Sequence, residues 1–288
     1  RILFFGDSNT AADGVSNVER FSDLAGKYFN AEAYNFGLSG SGTDQQYLIW
    51  KEYAQNMEVD LVVLGILVEN IERNKVAYRE TLHPYTKKSL LTPKPYFNFE
   101  KNKLVLQNIS SLDVKKKLSE IDIDTVQWAI PKDQEFIYKC VSAFRKNKML
   151  LPVRNNFDPI LKRLRSLLIK IAYQPYPDYN KSYSKGNILM KEILSEFSKS
   201  LTPTPVVIMP IPTYHYYVDG AKPIYKSFFN YFNNPSKNIY VVDLLENLKS
   251  LSFSKRQSLC FKKDKNHFSQ FGHQVISNFL TKKISDLK

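Results

Sequence analysis

The sequence predicts an α/β protein built on a five-stranded parallel sheet, with one large α+β insertion. Short apolar runs of strand length alternate with amphipathic helical patterns at both ends of the 288-residue chain, which is typical of βα units around a parallel sheet. Between about residues 71 and 183 this alternation stops. We therefore expect a core made of residues 1–70 and 184–288, and an inserted cap or lid made of residues 71–183.

Three apolar runs near the start of the chain predict the first three strands. They are residues 2–5, 31–36 and 61–67. The runs are nearly continuous, as expected for strands that are covered on both faces. Between the first two, apolar residues from Phe21 to Tyr28 recur at helical spacing and predict a helix. The spacing of Thr43 and Gln46 is typical of a capping box and predicts a second helix through about Ala54.

The same alternation resumes after the insertion. Residues 188–201 carry an apolar stripe at helical spacing, which predicts an amphipathic helix. Two further apolar runs, at residues 206–211 and 239–244, predict the fourth and fifth strands. Ser269 precedes the last helical pattern and is a preferred residue type for a helix N-cap. These elements complete the predicted sheet.

The insertion has a pattern of its own. Residues 94–99 and 104–106, on either side of a turn, predict a small β-hairpin, and residues 132–146 and 159–172 have helical patterns. Ligand sites of parallel α/β sheets lie at the carboxyl ends of the strands. Because the insertion follows the third strand at that edge, we expect it to cover the site.

Composition excludes several classes of protein. Hydrophobic residues make up 43% of the chain, too many for a disordered chain, and no apolar run approaches the roughly 20 residues that cross a bilayer. The two cysteines, Cys140 and Cys260, are too few for a disulfide framework or a zinc site, and we expect them to be reduced or buried. No leader is recognised at Arg1, so the sequence favours a cytoplasmic location without fixing it.

The chain is strongly basic. Lysine and arginine number 41 and the acids number 28, which gives a net charge of +13. Such a charge is typical of proteins that are attracted to anionic polymers or surfaces. The alternative is a lysine-rich solvated surface, which we favour because no block of five consecutive basic residues occurs.

Three polar residues at the two ends of the chain form a possible nucleophile and base. Ser8 follows the first strand in Gly6-Asp7-Ser8, where a turn presents its hydroxyl at the sheet edge. Asp264 and His267 precede the last helix. A neutral imidazole can remove the serine proton, and a carboxylate can orient the imidazole. Taken separately, an ordinary turn and a surface histidine beside an acid are the more common explanations.

Two further residues could stabilise an oxyanion. Gly40 follows the second strand and lets a backbone N–H approach closely, and Asn70 follows the third strand with a side-chain amide. Each has a common structural explanation, a turn with positive φ for glycine and a helix cap for asparagine. Because parallel strands end at one edge, we expect both residues to meet Ser8 there, together with Asp264 and His267.

This ordered set resembles the four sequence blocks of the SGNH, or GDSL, hydrolase family. The matching residues are Gly6-Asp7-Ser8, Gly40, Asn70 and Asp264-x-x-His267. The resemblance covers residues 1–70 and 184–288 and implies a flavodoxin-like three-layer α/β/α sandwich. It also implies that Ser8 is the nucleophile, His267 the base and Asp264 its orienting acid. The N–H groups of Ser8 and Gly40 and the amide of Asn70 would form the oxyanion hole.

The chain departs from the family pattern at the third block. The family usually has Gly-x-Asn-Asp there, whereas Glu69 precedes Asn70 in this chain, which puts the amide assignment in doubt. The stretch Glu69-Asn70-Ile71-x-Arg73 looks like a branch of the family found among bacterial surface-polysaccharide genes. Segments such as Lys94-Pro95-Tyr96-Phe97 share that likeness.

Four residues are expected to contact the substrate: Arg73, Tyr96, Tyr214 and His215. Aromatic rings stack on sugars, and basic groups hold carboxylates or phosphates. For Arg73 and Tyr96 the alternative is a basic surface over packed rings. His273 has no acid nearby in the sequence and is interpreted as structural. No metal-binding motif occurs, so neither a metal nor another cofactor is expected.

Together these observations predict a serine esterase or an O-acyltransferase. We expect it to act on small acyl esters of carbohydrate, most of all acetyl esters, through an acyl-Ser8 intermediate. A lipid substrate is less favoured, because the insertion carries tyrosine and lysine instead of a long apolar stripe. Hydrolysis and transfer share one nucleophile and one base, so the sequence does not separate them.

The alternative is a non-catalytic basic module that binds an anionic glycan or a nucleic acid. Such a module has no need of serine, aspartate and histidine in this order, and no nucleic-acid-binding motif is present. A nucleic-acid partner is therefore not expected. The oligomeric state is left open.

Overall fold

The structure is a computed structural model of the chain, and it describes residues 1–82, 89–107, 125–127 and 174–287. The predicted helices at residues 132–146 and 159–172, and Cys140, lie outside the described residues.

The described residues form ten strands and ten α-helices. The strands are β1 (Ile2–Gly6), β2 (Ala33–Gly37), β3 (Leu61–Leu67), β4 (Tyr78–Leu82), β5 (Ser89–Pro93), β6 (Tyr96–Glu100), β7 (Lys103–Gln107), β8 (Val126–Gln127), β9 (Val206–Ile211) and β10 (Ile239–Val241). The helices are α1 (Ser8–Ala11), α2 (Phe21–Phe29), α3 (Thr43–Ile49), α4 (Asn70–Arg73), α5 (Lys185–Leu201), α6 (Tyr214–Tyr217), α7 (Tyr225–Asn230), α8 (Leu245–Ser250), α9 (Phe253–Ser258) and α10 (Gln270–Ser285).

Five of the strands form one parallel sheet. Its order is β2-β1-β3-β9-β10, and every neighbouring pair is parallel. This is the flavodoxin-like order. β1 lies between β2 and β3, and the later strands β9 and β10 follow in turn beyond β3. The predicted five-stranded parallel sheet is confirmed, and all of its strands end at one edge.

Helices cover the two faces of this sheet. Right-handed crossovers place α2 and α3 on opposite faces, because the chain moves in opposite directions across the sheet from β1 to β2 and from β2 to β3. α2 packs against α10, and α3 packs against α5. The predicted three-layer α/β/α sandwich is therefore confirmed. No helix in the described parts of the chain is long and apolar enough to cross a membrane.

Three local predictions differ from the structure. The cap of α3 is Gly42, with φ −88° and ψ 174°, and it makes no side-chain cap bond. The capping box of Thr43 and Gln46 is therefore wrong, and Asn74 Oδ1 accepts from the N–H of Asp44 instead, at 3.3 Å. β2 is only partly buried because it is an edge strand. β10 ends at Val241, and the predicted strand to residue 244 is too long.

The described parts of the insertion contain the predicted hairpin. β6 and β7 pair in antiparallel register, and the two residues between them, Lys101 and Asn102, have φ 48° and 61°, as a type I′ turn requires. Phe97 of this hairpin and Tyr179 pack into the same apolar core as the parallel strands. The division of the chain into a core and an inserted lid stays a prediction.

Candidate active site

Three side chains from opposite ends of the chain form one hydrogen-bonded series. Ser8 lies directly after β1, and His267 lies on the loop before α10. His267 Nε2 is 2.8 Å from Ser8 Oγ, and His267 Nδ1 is 2.5 Å from Asp264 Oδ2. With its proton on Nδ1, the imidazole donates to the carboxylate and accepts from the serine hydroxyl. This is the arrangement of a nucleophile, a base and an orienting acid.

Backbone contacts fix the loop that carries the histidine. The N–H of Phe261 donates to the carbonyl of His267 at 3.2 Å, and the N–H of Asp264 donates to the carbonyl of Phe261 at 3.2 Å. The N–H of Phe268 donates to Asn9 Oδ1 at 3.4 Å, which ties the loop to α1. The position of His267 opposite Ser8 is therefore fixed by these main-chain hydrogen bonds as well as by the contacts of its ring with Ser8 and Asp264.

Hydrogen bonding keeps the Asp264 carboxyl ionised. Burial acts to raise its pKa, but hydrogen bonds from the His267 ring and from the N–H of Asn266 hold the pKa of Asp264 below its ordinary value. The Asn266 N–H donates to Oδ1 at 3.0 Å, so each carboxylate oxygen has a donor. A negative charge is thus present to stabilise an imidazolium at Nδ1.

Three donors lie at the ends of neighbouring strands. Asp7 caps α1 by accepting from the N–H of Asn9 at 3.0 Å, and among the described residues the N–H of Ser8 has no hydrogen-bond partner. Gly40 has φ +72°, and its N–H likewise has no partner within the described ranges. Asn70 is fully buried, and within the described residues its side chain makes one long contact, of 3.5 Å, from Nδ2 to Thr43 Oγ1. Donors of this kind stabilise oxyanions, and the convergence of these three on one oxyanion stays a prediction.

A buried ion pair joins the loops that carry these donors, and the sequence did not indicate it. Arg73 Nη1 donates to Asp7 Oδ2 at 2.9 Å and to the carbonyl of Ser41 at 3.3 Å. Its Nε donates to Glu69 Oε1 at 3.1 Å. Burial acts to lower the pKa of Arg73, but the carboxylates of Glu69 and Asp7 outweigh it and raise the pKa. One guanidinium therefore connects the turns after β1, β2 and β3.

The residues expected to contact substrate lie in different surroundings. Arg73 is 9% exposed, and its partners are the protein groups named above. Tyr96 packs against the small cluster around Tyr78. Tyr214 is half-buried and lines a recess that also contains Asn9 and Asn266, the neighbours of Ser8 and His267. His215 Nδ1 is 3.1 Å from Asp219 Oδ2. The substrate contacts of all four residues stay predictions.

Three other side chains of types that can act as a nucleophile or a base, those of Ser39, Cys260 and His273, have structural partners. Ser39 Oγ donates to the carboxylate of Asp13 at 2.7 Å. Burial raises the pKa of Cys260 to about 11, so its thiol is protonated at neutral pH and is a poor nucleophile. His273 is fully buried, and its Nδ1 accepts from the N–H of Phe21 at 3.4 Å. Within the described residues, no group of three or more histidine, cysteine or acidic side chains could hold a metal ion.

Comparison with known proteins gives one family and several similar structures. The model of the GDSL-like lipase/acylhydrolase family matches residues 2–280. No curated protein matches the chain.

Three solved structures are similar to the chain at low sequence identity. A lipase/acylhydrolase from Enterococcus faecalis is 13% identical with a TM-score of 0.46, and the match covers 99% of this chain and 95% of that one. A member of the lipolytic protein G-D-S-L family from Veillonella parvula is 10% identical with a TM-score of 0.47, covering 99% and 97%. A catalytic mutant of an acetylxylan esterase from Geobacillus stearothermophilus is 12% identical with a TM-score of 0.47, covering 98% and 93%.

Proposed function

The chain belongs to the GDSL-like lipase/acylhydrolase family, and from this premise we propose that Ser8, His267 and Asp264 are its catalytic triad. Family membership makes the chain a serine hydrolase that acts on carboxylic esters. The observation that carries the residue assignment is the unbroken series from Ser8 Oγ through His267 to Asp264, with distances of 2.8 Å and 2.5 Å. A non-catalytic binding module has no use for this series.

In the first half of the reaction Ser8 Oγ attacks the acyl carbon of the ester. Its proton passes to His267 Nε2, and Asp264 stabilises the imidazolium that forms. The N–H groups of Ser8 and Gly40, with the Asn70 amide, hold the oxygen that becomes negative. The bond to the alcohol oxygen then breaks, and His267 returns the proton to the departing alcohol. An acyl-Ser8 ester remains.

In the second half a hydroxyl compound removes the acyl group. Water, deprotonated by His267, attacks the acyl carbon, Ser8 leaves with the proton, and a carboxylic acid is released. If a sugar hydroxyl takes the place of water, the product is a new ester and the enzyme is an O-acyltransferase. Hydrolysis and transfer therefore use the same nucleophile, Ser8, and the same base, His267.

We favour a small acyl ester of a carbohydrate as substrate. The recess that contains Asn9 and Asn266 is lined by the rings of Tyr214 and Tyr217 and by both polar and apolar groups. Aromatic faces with neighbouring amides suit a hydroxylated ring better than a long alkyl chain. Tyr217 is almost fully buried and its hydroxyl lies 3.0 Å from Cys260 Sγ, so both groups are fixed parts of the recess wall. A short acyl group such as acetyl needs the least room beside them.

The first experiment measures acetyl release from p-nitrophenyl acetate and labelling by a fluorophosphonate. The wild type should do both, and Ser8→Ala should do neither. His267→Ala should lower turnover by about 10³-fold or more while the circular-dichroism spectrum is unchanged. Labelling at a residue other than Ser8, or full turnover in either variant, would contradict the assignment.

The second experiment separates hydrolysis from transfer. The enzyme is given an acetyl ester together with a series of mono- and oligosaccharides, and the products are analysed by mass spectrometry. Free acetate alone identifies an esterase. A sugar whose mass rises by one acetyl group identifies a transferase, and Ser8→Ala is the control for chemical migration.

A further inference from the structure

The loop that carries Asp264 and His267 also carries three lysines, Lys262, Lys263 and Lys265. All three side chains are exposed, and none forms an ion pair with another residue in the described parts of the chain. Backbone hydrogen bonds at Phe261 and Asp264 hold the loop in place. The three lysines are close to the base in the chain, the nearest being Lys265, two residues before it.

Lys265 points toward the recess that Tyr214 and Asn266 line. Its Nζ lies 4.5 Å from the centre of the Tyr214 ring, a cation–π distance. Both residues line the recess together with Asn9 and Asn266. A positive charge is thus part of the wall that a bound ester would touch on the histidine side.

Arg79 places a second kind of positive charge on the oxyanion side. Its Nη1 donates to the carbonyl of Ser39 at 3.0 Å, and the guanidinium lies so close over Gly40 that a Cβ there would be 1.8 Å from Nη1. No carboxylate within the described ranges pairs with it. Burial and the neighbouring charge of Arg73 lower the pKa of Arg79, although Asp13 opposes this.

The cations deeper in the protein differ from these four. Arg73 is paired with Asp7 and Glu69, and Lys94 is paired with Asp44. Buried cations are neutralised in this way because an unpaired buried charge is costly. Within the described residues these four cations have no carboxylate partner. Of the four, Lys265 lines the recess and Arg79 lies over Gly40, so positive charge is present where substrate would bind.

We propose that Arg79, Lys262, Lys263 and Lys265, which we call the cationic rim, select an ester whose carbohydrate part carries a negative charge. This inference rests on the esterase function proposed above and names its substrate class. Carboxylate and phosphate share the chemistry that the rim recognises: a guanidinium binds either with paired hydrogen bonds, and ammonium groups attract both. Under this proposal, part of the +13 net charge of the chain serves to attract the substrate.

The rim acts mainly on encounter and binding. Exposed charges interact over a Debye length of about 8 Å at physiological ionic strength, and Lys265 already lines the recess. Glu69 also lines the recess, but it is paired with Arg73. An excess of one sign of charge at a cleft raises association rates by about tenfold or more, and salt removes the gain. We therefore expect an effect on kcat/KM that weakens as salt is added.

The test uses three acetylated methyl glycosides that differ only in the terminal group of the sugar: hydroxymethyl, carboxylate or phosphate. At low ionic strength the wild type should hydrolyse at least one anionic ester with a kcat/KM about tenfold above the neutral ester. Lys262→Gln/Lys263→Gln/Lys265→Gln should bring this ratio close to one, and Arg79→Gln should lower it. The two anionic arms distinguish a carboxylated from a phosphorylated substrate.

The control is a second triple variant with the same loss of charge. Lys27, Lys237 and Lys282 are exposed and lie at the opposite edge of the sheet, before β2, before β10 and in the last turn of α10. Their replacement by glutamine should preserve the ratio. Equal rates for all three esters in the wild type, or an equal loss of the ratio in both triple variants, would overturn the proposal.

The same experiment keeps the two proposals apart. If Ser8 reacts with a fluorophosphonate but the wild type shows no preference for charge, only the cationic rim is wrong. If no ester is hydrolysed and Ser8 is not labelled, the proposed triad fails and the rim fails with it.

Discussion

Asn70 is the residue whose role the family pattern leaves most open. The family usually has Gly-x-Asn-Asp at this block, whereas Glu69 directly precedes Asn70 in this chain. Its side chain is fully buried, and no group in the described parts of the chain binds its Oδ1. A buried amide with so little bonding costs free energy. An oxyanion bound by the Nδ2 donor would offset part of that cost, and the strand order places Ser8 between Gly40 and Asn70.

We predict that Asn70→Ala lowers kcat by about 10²-fold or more, the usual loss for one oxyanion donor, with little change in KM. Steady-state kinetics with p-nitrophenyl acetate measure both constants. Thr43→Val is the control, because it removes the 3.5 Å contact to the amide and keeps the amide itself. A change in kcat of less than about threefold in Asn70→Ala would assign the oxyanion to the backbone N–H groups alone.

Arg73 links elements that are far apart in the sequence. It lies at the end of α4 and bonds to Asp7 after β1 and to Ser41 after β2. Asp7 is fully buried, and it also caps α1, which carries Ser8. The position of Ser8 relative to Gly40 and Asn70 therefore depends on this buried ion pair.

Removing the guanidinium leaves the Asp7 carboxylate buried without its partner. We predict that Arg73→Met destabilises the protein by about 3–5 kcal/mol, the range for breaking a buried pair, and lowers kcat. Asp7→Asn/Arg73→Met removes the charge as well and should recover part of the stability. Urea unfolding of the two single variants and the double variant gives the coupling energy. A double variant no more stable than Arg73→Met would show that the pair is not the cause.

The contact between α2 and α10 includes a histidine that must stay neutral. Burial, and to a lesser extent Arg20, lower the pKa of His273 to about 4, whereas the same residue in the unfolded chain titrates near its ordinary value of about 6.5. Between these values the unfolded chain binds more protons than the folded one. The free energy of unfolding therefore rises with pH across this window and falls on acidification.

We predict that the wild type loses roughly 2 kcal/mol of stability from this group between about pH 7 and pH 5. His273→Gln has no proton to gain in that range, so its stability should depend less on pH, even if it is lower at neutral pH. Urea denaturation at several pH values measures both slopes. Equal slopes in the two proteins would mean that other groups cause the pH dependence.

Considered as a whole, the molecule shows what sequence patterns can and cannot indicate. β3 and β9 lie where the apolar runs predicted them, because a strand buried on both faces needs a continuous apolar run. Strand order alone placed Ser8, Gly40 and Asn70 at one edge. The capping box at Thr43 failed because a distant side chain, that of Asn74, supplies the bond.

Long-range polar contacts could not be predicted from the sequence. Arg73 and Asp7 are 66 residues apart in sequence, and Lys94 and Asp44 are 50 apart. No local sequence pattern indicates such pairs, because each of these charged residues, considered alone, looks like an ordinary exposed residue. Arg73 was predicted to contact substrate from its neighbours in the sequence alone. The structure shows in addition that its guanidinium bonds to Asp7 and Glu69.

The β6–β7 hairpin tests how far the predicted insertion folds together with the core. Phe97 is 6% exposed and belongs to the main apolar core, where its ring lies 6.0 Å from that of Tyr47 on α3. Val105, on the opposite face of the hairpin, is 37% exposed. Substitutions at Phe97 and Val105 therefore distinguish the effect of packing against the core from the effect on the hairpin itself.

We predict that Phe97→Ala lowers the free energy of unfolding of the whole protein by about 3–5 kcal/mol, the cost of deleting a buried aromatic side chain, and that Val105→Ala costs less than about 1 kcal/mol. Differential scanning calorimetry should show one transition at a reduced Tm for Phe97→Ala. If the insertion unfolds on its own, the thermogram will instead divide into two transitions, with the larger one at the wild-type Tm. That result would make residues 71–183 an independent unit, whereas a single shifted transition would show that the hairpin is an integral layer of the α/β fold.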